Sequence, residues 1–282
     1  MTRPERKDIM LAYPTEEGRV YRLGNSYFAQ PKLRGERCRI EWFHDDPVLI
    51  SSYGNDFKFL EHIEYALKTL GIGEIPFDGE LYVHGWNQER INSAANRKVN
   101  VNPDSPKLEY HIFDIQDASS SQLDRMAVLK ALNAHCLIQH PLHLVETAVV
   151  KHDSWLRKCQ EYCDDGYEGI ILRDPDAPYY TPRNVCLLKH KPTEQDTYTI
   201  LSVKEAISED GYAKNMVGSF QVAGDDKTPF YVGAGKMDHP TRVRLWRNRG
   251  DVVGKILIVK HEKIKTVGGI PLCAIAVELK EE

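Results

Sequence analysis

The sequence predicts an α+β chain in two parts, with mixed helices and strands over residues 1–195 and a small β-rich unit over residues 196–282. Three observations predict it. Helix-like and strand-like stretches alternate as far as Pro192, whereas short strands with glycine turns dominate beyond it. The 282 residues, 41% hydrophobic, can bury one large and one small core. No apolar run reaches the roughly 18 residues that a membrane helix needs, so no membrane partner is expected.

The N-terminal MTRPERKDIML is charged and lacks a signal-peptide apolar segment, which points away from export. YFAQPKL, RCRIEWF and VLISSYG then read as strands separated by turn residues. In DFKFLEHIEYALKTLG, the spacing of Phe57, Leu60, Ile63 and Leu67 predicts a helix that Gly71 ends. PFDGELYVHG and LEYHIFDIQD are strand-like, and the polar stretch 87–107 between them reads as a loop. LDRMAVLKALNAH and HDSWLRKCQEYCDDG read as helices, EGIILRD as a compact strand before a proline-rich loop, and LLKHKP as one more strand. The second part offers TYTILSVKEAI, GSFQVAG, TPFYVGAG, KILIVKHEKI and AIAVELK. Five short strands over about 85 residues suit a small closed barrel of the oligonucleotide-binding (OB) kind, and equally a generic small β-domain.

Net charge is −4, so a polyanionic partner would have to be held by local basic patches. Residues 196–282 carry 13 Lys and Arg against 12 Asp and Glu, while residues 1–195 carry 24 against 29. The densest patch, RVRLWRNRG, reads as a solvated helix face. None of the six cysteines forms a C-x-x-C pair, which argues against a zinc or disulfide framework and suits a reducing cytoplasm.

Chemistry-bearing residues gather at strand ends. Lys32 sits at a strand-to-turn junction in PKLRGE, with Arg37 behind it; Glu80 lies in FDGEL and Phe113 in IFDI; Glu168 opens EGIILR. Lys189 and Lys191 alternate in LLKHK, and in one strand such a pair would aim into one cleft. Cations for phosphates, a carboxylate for ribose, a ring for a base and an acid for a metal are what a nucleoside triphosphate requires. Each residue taken singly has an ordinary structural explanation as a cap, core or surface group; their order is more specific.

The series KLRG, FDGEL, IFDI, EGIILR, LLKHK resembles the nucleotidyltransferase motifs of ATP-dependent polynucleotide ligases and mRNA capping enzymes. It is most similar to small phage-type ATP-dependent DNA ligases, which join an adenylylation domain to an OB domain. The tail GKILIVKHEKIKTVGGIPLCAIAVEL resembles the last strands of that OB domain. The resemblance implies that Lys32 attacks the ATP α-phosphorus and carries AMP as a phosphoramidate. It places Gln30, Arg37, Glu80, Phe113, Lys189 and Lys191 against the nucleotide and Glu168 at a metal, Mg²⁺ or in its stead Mn²⁺. It gives Arg183 to the 5′-phosphate of a nick in duplex DNA. Arg34, Arg97, Lys98 and Lys260 are expected as further DNA contacts, with Arg90 and Lys107 beside them in the 87–107 stretch. A monomer in the cytoplasm of a bacterium or a phage-infected cell is expected.

Two positions depart from the pattern. Arg34 stands where the family has Asp and is expected beside Lys32, tuning that nucleophile, with an outward pairing to Glu36 as the alternative; Ser52 of SSYG stands where an arginine is usual. An RNA ligase with the same core chemistry is the nearest rival. A capping guanylyltransferase would need further motifs, and a non-catalytic OB-type binder would leave the ordered motifs of residues 32–191 without purpose.

Overall fold

The computed structural model describes residues 6, 8–15, 19–181, 183–223, 228–235, 237–262 and 270–280. Segment 263–269 of the tail quoted above lies outside the described residues. The chain separates into two compact units, Thr2–His190 and Lys191–Glu282. The division falls slightly before the boundary expected at residue 195.

In the first unit the order is β1 (Leu11–Pro14), β2 (Ser26–Pro31), β3 (Glu36–Phe43), β4 (Asp46–Ser51), α1 (Glu61–Thr69), β5 (Phe77–Tyr82), α2 (Gln88–Ala95) and β6 (Glu109–Ile115). It continues with α3 (Gln122–Ala134), β7 (Leu142–Leu144), β8 (Ala148–Lys151), α4 (Trp155–Asp164), β9 (Ile170–Arg173) and β10 (Arg183–His190). Two five-stranded sheets result, ordered β1-β10-β9-β2-β8 and β4-β3-β5-β6-β7.

The helices follow from their apolar spacing and caps. Ile63 and Leu67 of α1 are buried, and Phe57 and Leu60 are buried just ahead of its first turn. Ser121 and Asp124 close a reciprocal capping box at the start of α3. The 87–107 stretch is only in part the loop its polar composition suggests, because Gln88–Ala95 form α2 while 96–104 are irregular. Ile91, Ala94 and Ala95 supply a buried stripe at i, i+3 and i+4, and the Asn87 side chain accepts from the Arg90 amide to cap α2. Small alanines among many polar residues hid that stripe.

Two motif glycines are required by close approach. A Cβ at Gly35 would lie 2.2 Å from the Leu81 carbonyl oxygen, and one at Gly79 would lie 2.6 Å from that of His111. Glycine therefore lets β3, β5 and β6 come together where the KLRG and FDGEL motifs meet.

A buried polar network stands between the sheets. Asp114, fully buried on β6, accepts from Arg125 Nε of α3 at 2.8 Å and from Arg173 Nη1 of β9 at 2.7 Å. Gln122 accepts from both guanidinium groups, at 2.8 and 3.2 Å. Every charge taken out of water here has a partner, which a buried charge requires.

The second unit contains β11 (Thr193–Ile207), β12 (Ala213–Ala223), β13 (Pro229–Gly233), α5 (His239–Arg247), α6 (Arg249–Val252), β14 (Ile256–Glu262) and β15 (Ile275–Leu279). Its strands close into a barrel in the order β11-β12-β13-β15-β14. Phe220 and Val222 of β12, Phe230 and Val232 of β13, and Leu257 and Val259 of β14 alternate inward and form its core. On α5, Leu245 is buried while Arg244 and Arg247 are exposed. No described helix is long and apolar enough to cross a membrane.

Candidate active site

Sheet pairing brings the separated motifs together within the first unit. Gln30 of β2 lies opposite Ile171 of β9, which lies opposite Lys189 of β10, so all three share one face. Phe28, Arg173 and Leu187 continue that face by the same registers. The second sheet adds Arg37, which faces Glu80 across the β3–β5 pair. A cavity between the sheets is lined by Gln30, Lys32, Arg37, Glu80, Phe113 and Arg173, together with the apolar Leu33 and Leu187.

Lys32 follows β2 directly. Two backbone hydrogen bonds hold its segment against the next motif, from Lys32 N to Gly169 O at 2.9 Å and from Glu168 N to Lys32 O at 3.1 Å. The Lys32 ammonium contacts the Glu168 carboxylate, which is only 6% exposed, and also reaches the Leu33 carbonyl at 3.3 Å. Arg34 Nη2 lies 3.4 Å from the other Glu168 oxygen. Arg34 is thus held beside Lys32 through a shared carboxylate, in place of the alternative pairing with Glu36. Glu36 instead receives the Gln88 amide of α2 at 3.4 Å.

Phe113 is buried between two cations, with the Arg37 guanidinium 4.7 Å from its ring centroid and that of Arg173 5.2 Å away. Each guanidinium is anchored in turn. Arg37 Nε donates to Asp78 at 2.7 Å, and the Tyr179 hydroxyl donates to the same fully buried carboxylate at 2.7 Å. Arg173 Nε donates to Gln30 Oε1 at 2.7 Å, while Gln30 Nε2 donates to the Phe113 carbonyl and to Thr147 Oγ1. Gln30 thus ties β2, β6 and β9 at the back of the cavity.

Glu80 accepts from the Gly35 amide at 3.1 Å. Burial pushes its carboxyl up to about 7, against the opposing pull of Lys32 and Arg37. The unfolded chain would titrate this group near its ordinary 4.5, so the folded protein holds the proton more tightly. Stability from this group is therefore lost as pH rises from about 4.5 to about 7. Glu80→Gln removes the titration, and its melting midpoint should gain on that of the parent more at pH 8 than at pH 5. An equal offset at both pH values would contradict a buried, proton-holding Glu80.

Other expected residues lie elsewhere. Lys191 does not continue the strand of Lys189, because β10 ends at His190. It belongs to the second unit, where its ammonium is 3.2 Å from Glu262. Arg183 opens β10, donates to the Ala12 carbonyl and stands 5.2 Å from the Tyr13 ring centroid. Arg97 donates to Ser93 at the end of α2, Lys98 is exposed just beyond, and Arg90 and Lys107 both pair with Asp104. Lys260 sits on β14, opposite Gln195 and Ile275. Ser52 is buried after β4. The sequence reading missed Asp78, Arg173, Gln122, Arg125 and Tyr179. Arg173 was legible, since it is two residues from Ile171 on the same strand face.

The profile of the ATP-dependent DNA ligase domain matches residues 9–191. The DNA ligase of African swine fever virus is 26% identical over 252 residues, 83% of this chain and 58% of the viral protein. The chain thus spans less than two thirds of that relative's length. A solved Lig E DNA ligase, described as binding DNA with a minimal scaffold, superposes with a TM-score of 0.76 at 22% identity, over 96% of this chain and 98% of its own. The ATP-dependent DNA ligase of bacteriophage T7, solved in complex with ATP, gives 0.58 at 15% identity, over 97% and 98%. Matched over the unit that holds Lys32, Glu80, Phe113 and Glu168, this chain belongs to the ATP-dependent DNA ligase domain family.

Proposed function

We propose that the protein seals nicks in duplex DNA at the expense of ATP. The observation that carries this reading is the Lys32 amine, in contact with Glu168 at a cavity that also offers a buried aromatic ring and several cations. Once its ammonium has given up a proton to solvent, Lys32 Nζ supplies an electron pair to the α-phosphorus of ATP; the N–P bond forms as pyrophosphate leaves. An oxygen of the DNA 5′-phosphate then takes AMP from Lys32, breaking that bond. The adjacent 3′-hydroxyl attacks the activated 5′-phosphate, and AMP departs as the strand closes.

Phosphoryl transfer depends more on positioned charge than on covalent help. Phe113 would stack on adenine, with Arg37 and Arg173 fixing the plane of its ring and Gln30 holding Arg173. Glu80 and Arg37 would meet ribose and the phosphates, and Lys189 would face the α-phosphate. Lys191, from the second unit, is assigned to the same phosphate. Mg²⁺, with Mn²⁺ as a substitute, would neutralise phosphate charge. The nearly buried Glu168 carboxylate suits such a hard cation, and it would hold the ion when Lys32 and Arg34 turn toward phosphate.

The barrel is assigned to the OB class. With Lys260, and with Arg34, Arg97, Lys98 and Arg183 of the first unit, it would contact DNA as a monomer. We read the protein's compartment as a reducing cytoplasm. Residues 1–190 and 191–282 are read as the adenylylation and OB domains. The deciding experiment incubates the full chain with labelled ATP, Mg²⁺ and matched nicked substrates, one all-DNA and one with RNA strands. Label on the protein followed by joining of the DNA nick is expected. Label with joining of RNA alone would shift the assignment to an RNA ligase, and no label at all would overturn it.

A further inference from the structure

A second constellation lies outside the nucleotide cavity, at the far edge of the second sheet. His111 of β6 and His143 of the short edge strand β7 are register partners in a parallel pair. Their rings stack with centroids 4.8 Å apart, and Glu109, two residues before His111, shares the same strand face. Glu109 Oε2 lies 2.9 Å from His111 Nε2 and 3.6 Å from His143 Nε2. One ligand atom from each of the three residues falls within 4.8 Å of the other two. His140 Nδ1 stands 4.0 Å from the remaining Glu109 oxygen.

We propose that Glu109, His111 and His143 form a binding site for a divalent transition metal of the zinc class, with His140 as the fourth donor. Two imidazoles and a carboxylate are a zinc-type donor set, unsuited to the oxygen-only preference of Mg²⁺. Tetrahedral donors at bond lengths of about 2.0–2.1 Å are separated by about 3.4 Å. Both Glu109 distances already lie near that value. The half-exposed His143 ring must turn slightly to bring the two imidazole nitrogens together. Its Nε2 makes no hydrogen bond although that atom is shielded from solvent, so coordination would satisfy it. The ion would fasten the three-residue edge strand β7, otherwise held on one side only, to β6.

The test uses the full chain stripped of metal with a chelator and then dialysed. Zn²⁺ is titrated in competition with a chromophoric chelator, alongside the variants His111→Gln, His143→Gln and His140→Gln. One tight equivalent is expected in the parent, with a rise in melting midpoint that Mg²⁺ does not produce. His143→Gln alters a part-exposed side chain and should fold as the parent does. It should weaken Zn²⁺ by at least about tenfold, the lower range for disturbing a metal's surroundings, and remove the thermal gain. His111→Gln should do the same, and His140→Gln should weaken binding less. No tight equivalent in the parent overturns the site. So does a His143→Gln variant that binds as well as the parent, which would place the ion on cysteines instead.

Discussion

Lys32→Ala should carry no detectable AMP after incubation with labelled ATP and Mg²⁺, and should seal no ordinary nick. The amine is the atom that bonds to phosphorus, and among the described residues that line the cavity Lys32 is the one lysine. Loss of the nucleophile removes the covalent route altogether. Lys32→Arg should be equally silent, since a guanidinium keeps the charge but is a very poor nucleophile. The fold should survive, because Lys32 is partly exposed and Glu168 retains Arg34 at 3.4 Å. A nick already carrying AMP on its 5′-phosphate provides the internal control. Closing it needs no lysine nucleophile, so Lys32→Ala should retain measurable joining of that substrate. Normal labelling of either variant would remove Lys32 from the centre of the mechanism.

What was legible of this site came from the resemblance of the ordered motifs rather than from periodicity: Gln30, Lys32, Arg37, Glu80 and Phe113 line one cavity. What failed, failed for local reasons. The Lys189–Lys191 alternation presumed a strand that continues, but β10 stops at His190 and the next strand opens at Thr193. The α2 helix was obscured because its buried stripe is made of one isoleucine and two alanines, too little apolar mass to stand out. The alternative pairing of Arg34 with Glu36 rested on nearness in sequence, whereas the backbone bonds between Lys32 and residues 168–169 bring Glu168 closer. The buried arginines were invisible for a different reason. A charged residue is read as surface unless its partner is known, and Asp114, Arg125 and Arg173 find one another only through tertiary packing.

That network supports the second large effect, on stability. Asp114→Ala should destabilise the first unit by about 3–5 kcal/mol, the usual penalty for removing one member of a buried ion pair. Two guanidinium groups depend on this carboxylate: Arg125 and Arg173, with side chains 1% and 5% exposed. Neither can shed its charge, and Gln122 can satisfy only part of what Asp114 accepts. At about 2–4 °C per kcal/mol for a unit of this size, the melting midpoint should fall by about 6–20 °C. Asp114→Asn should fall as well, because its amide presents a donor to a guanidinium where an acceptor is needed. Arg173 also holds Gln30 and flanks Phe113, so nucleotide affinity should drop at temperatures where the variant is still folded. Adding Arg125→Met to Asp114→Ala should recover part of the loss, since it withdraws one stranded charge. Thermal denaturation of the parent, the single variants and the double variant measures each quantity. A midpoint within about 2 °C of the parent for Asp114→Ala would mean that water reaches these arginines, and the network would lose its role in shaping the cavity.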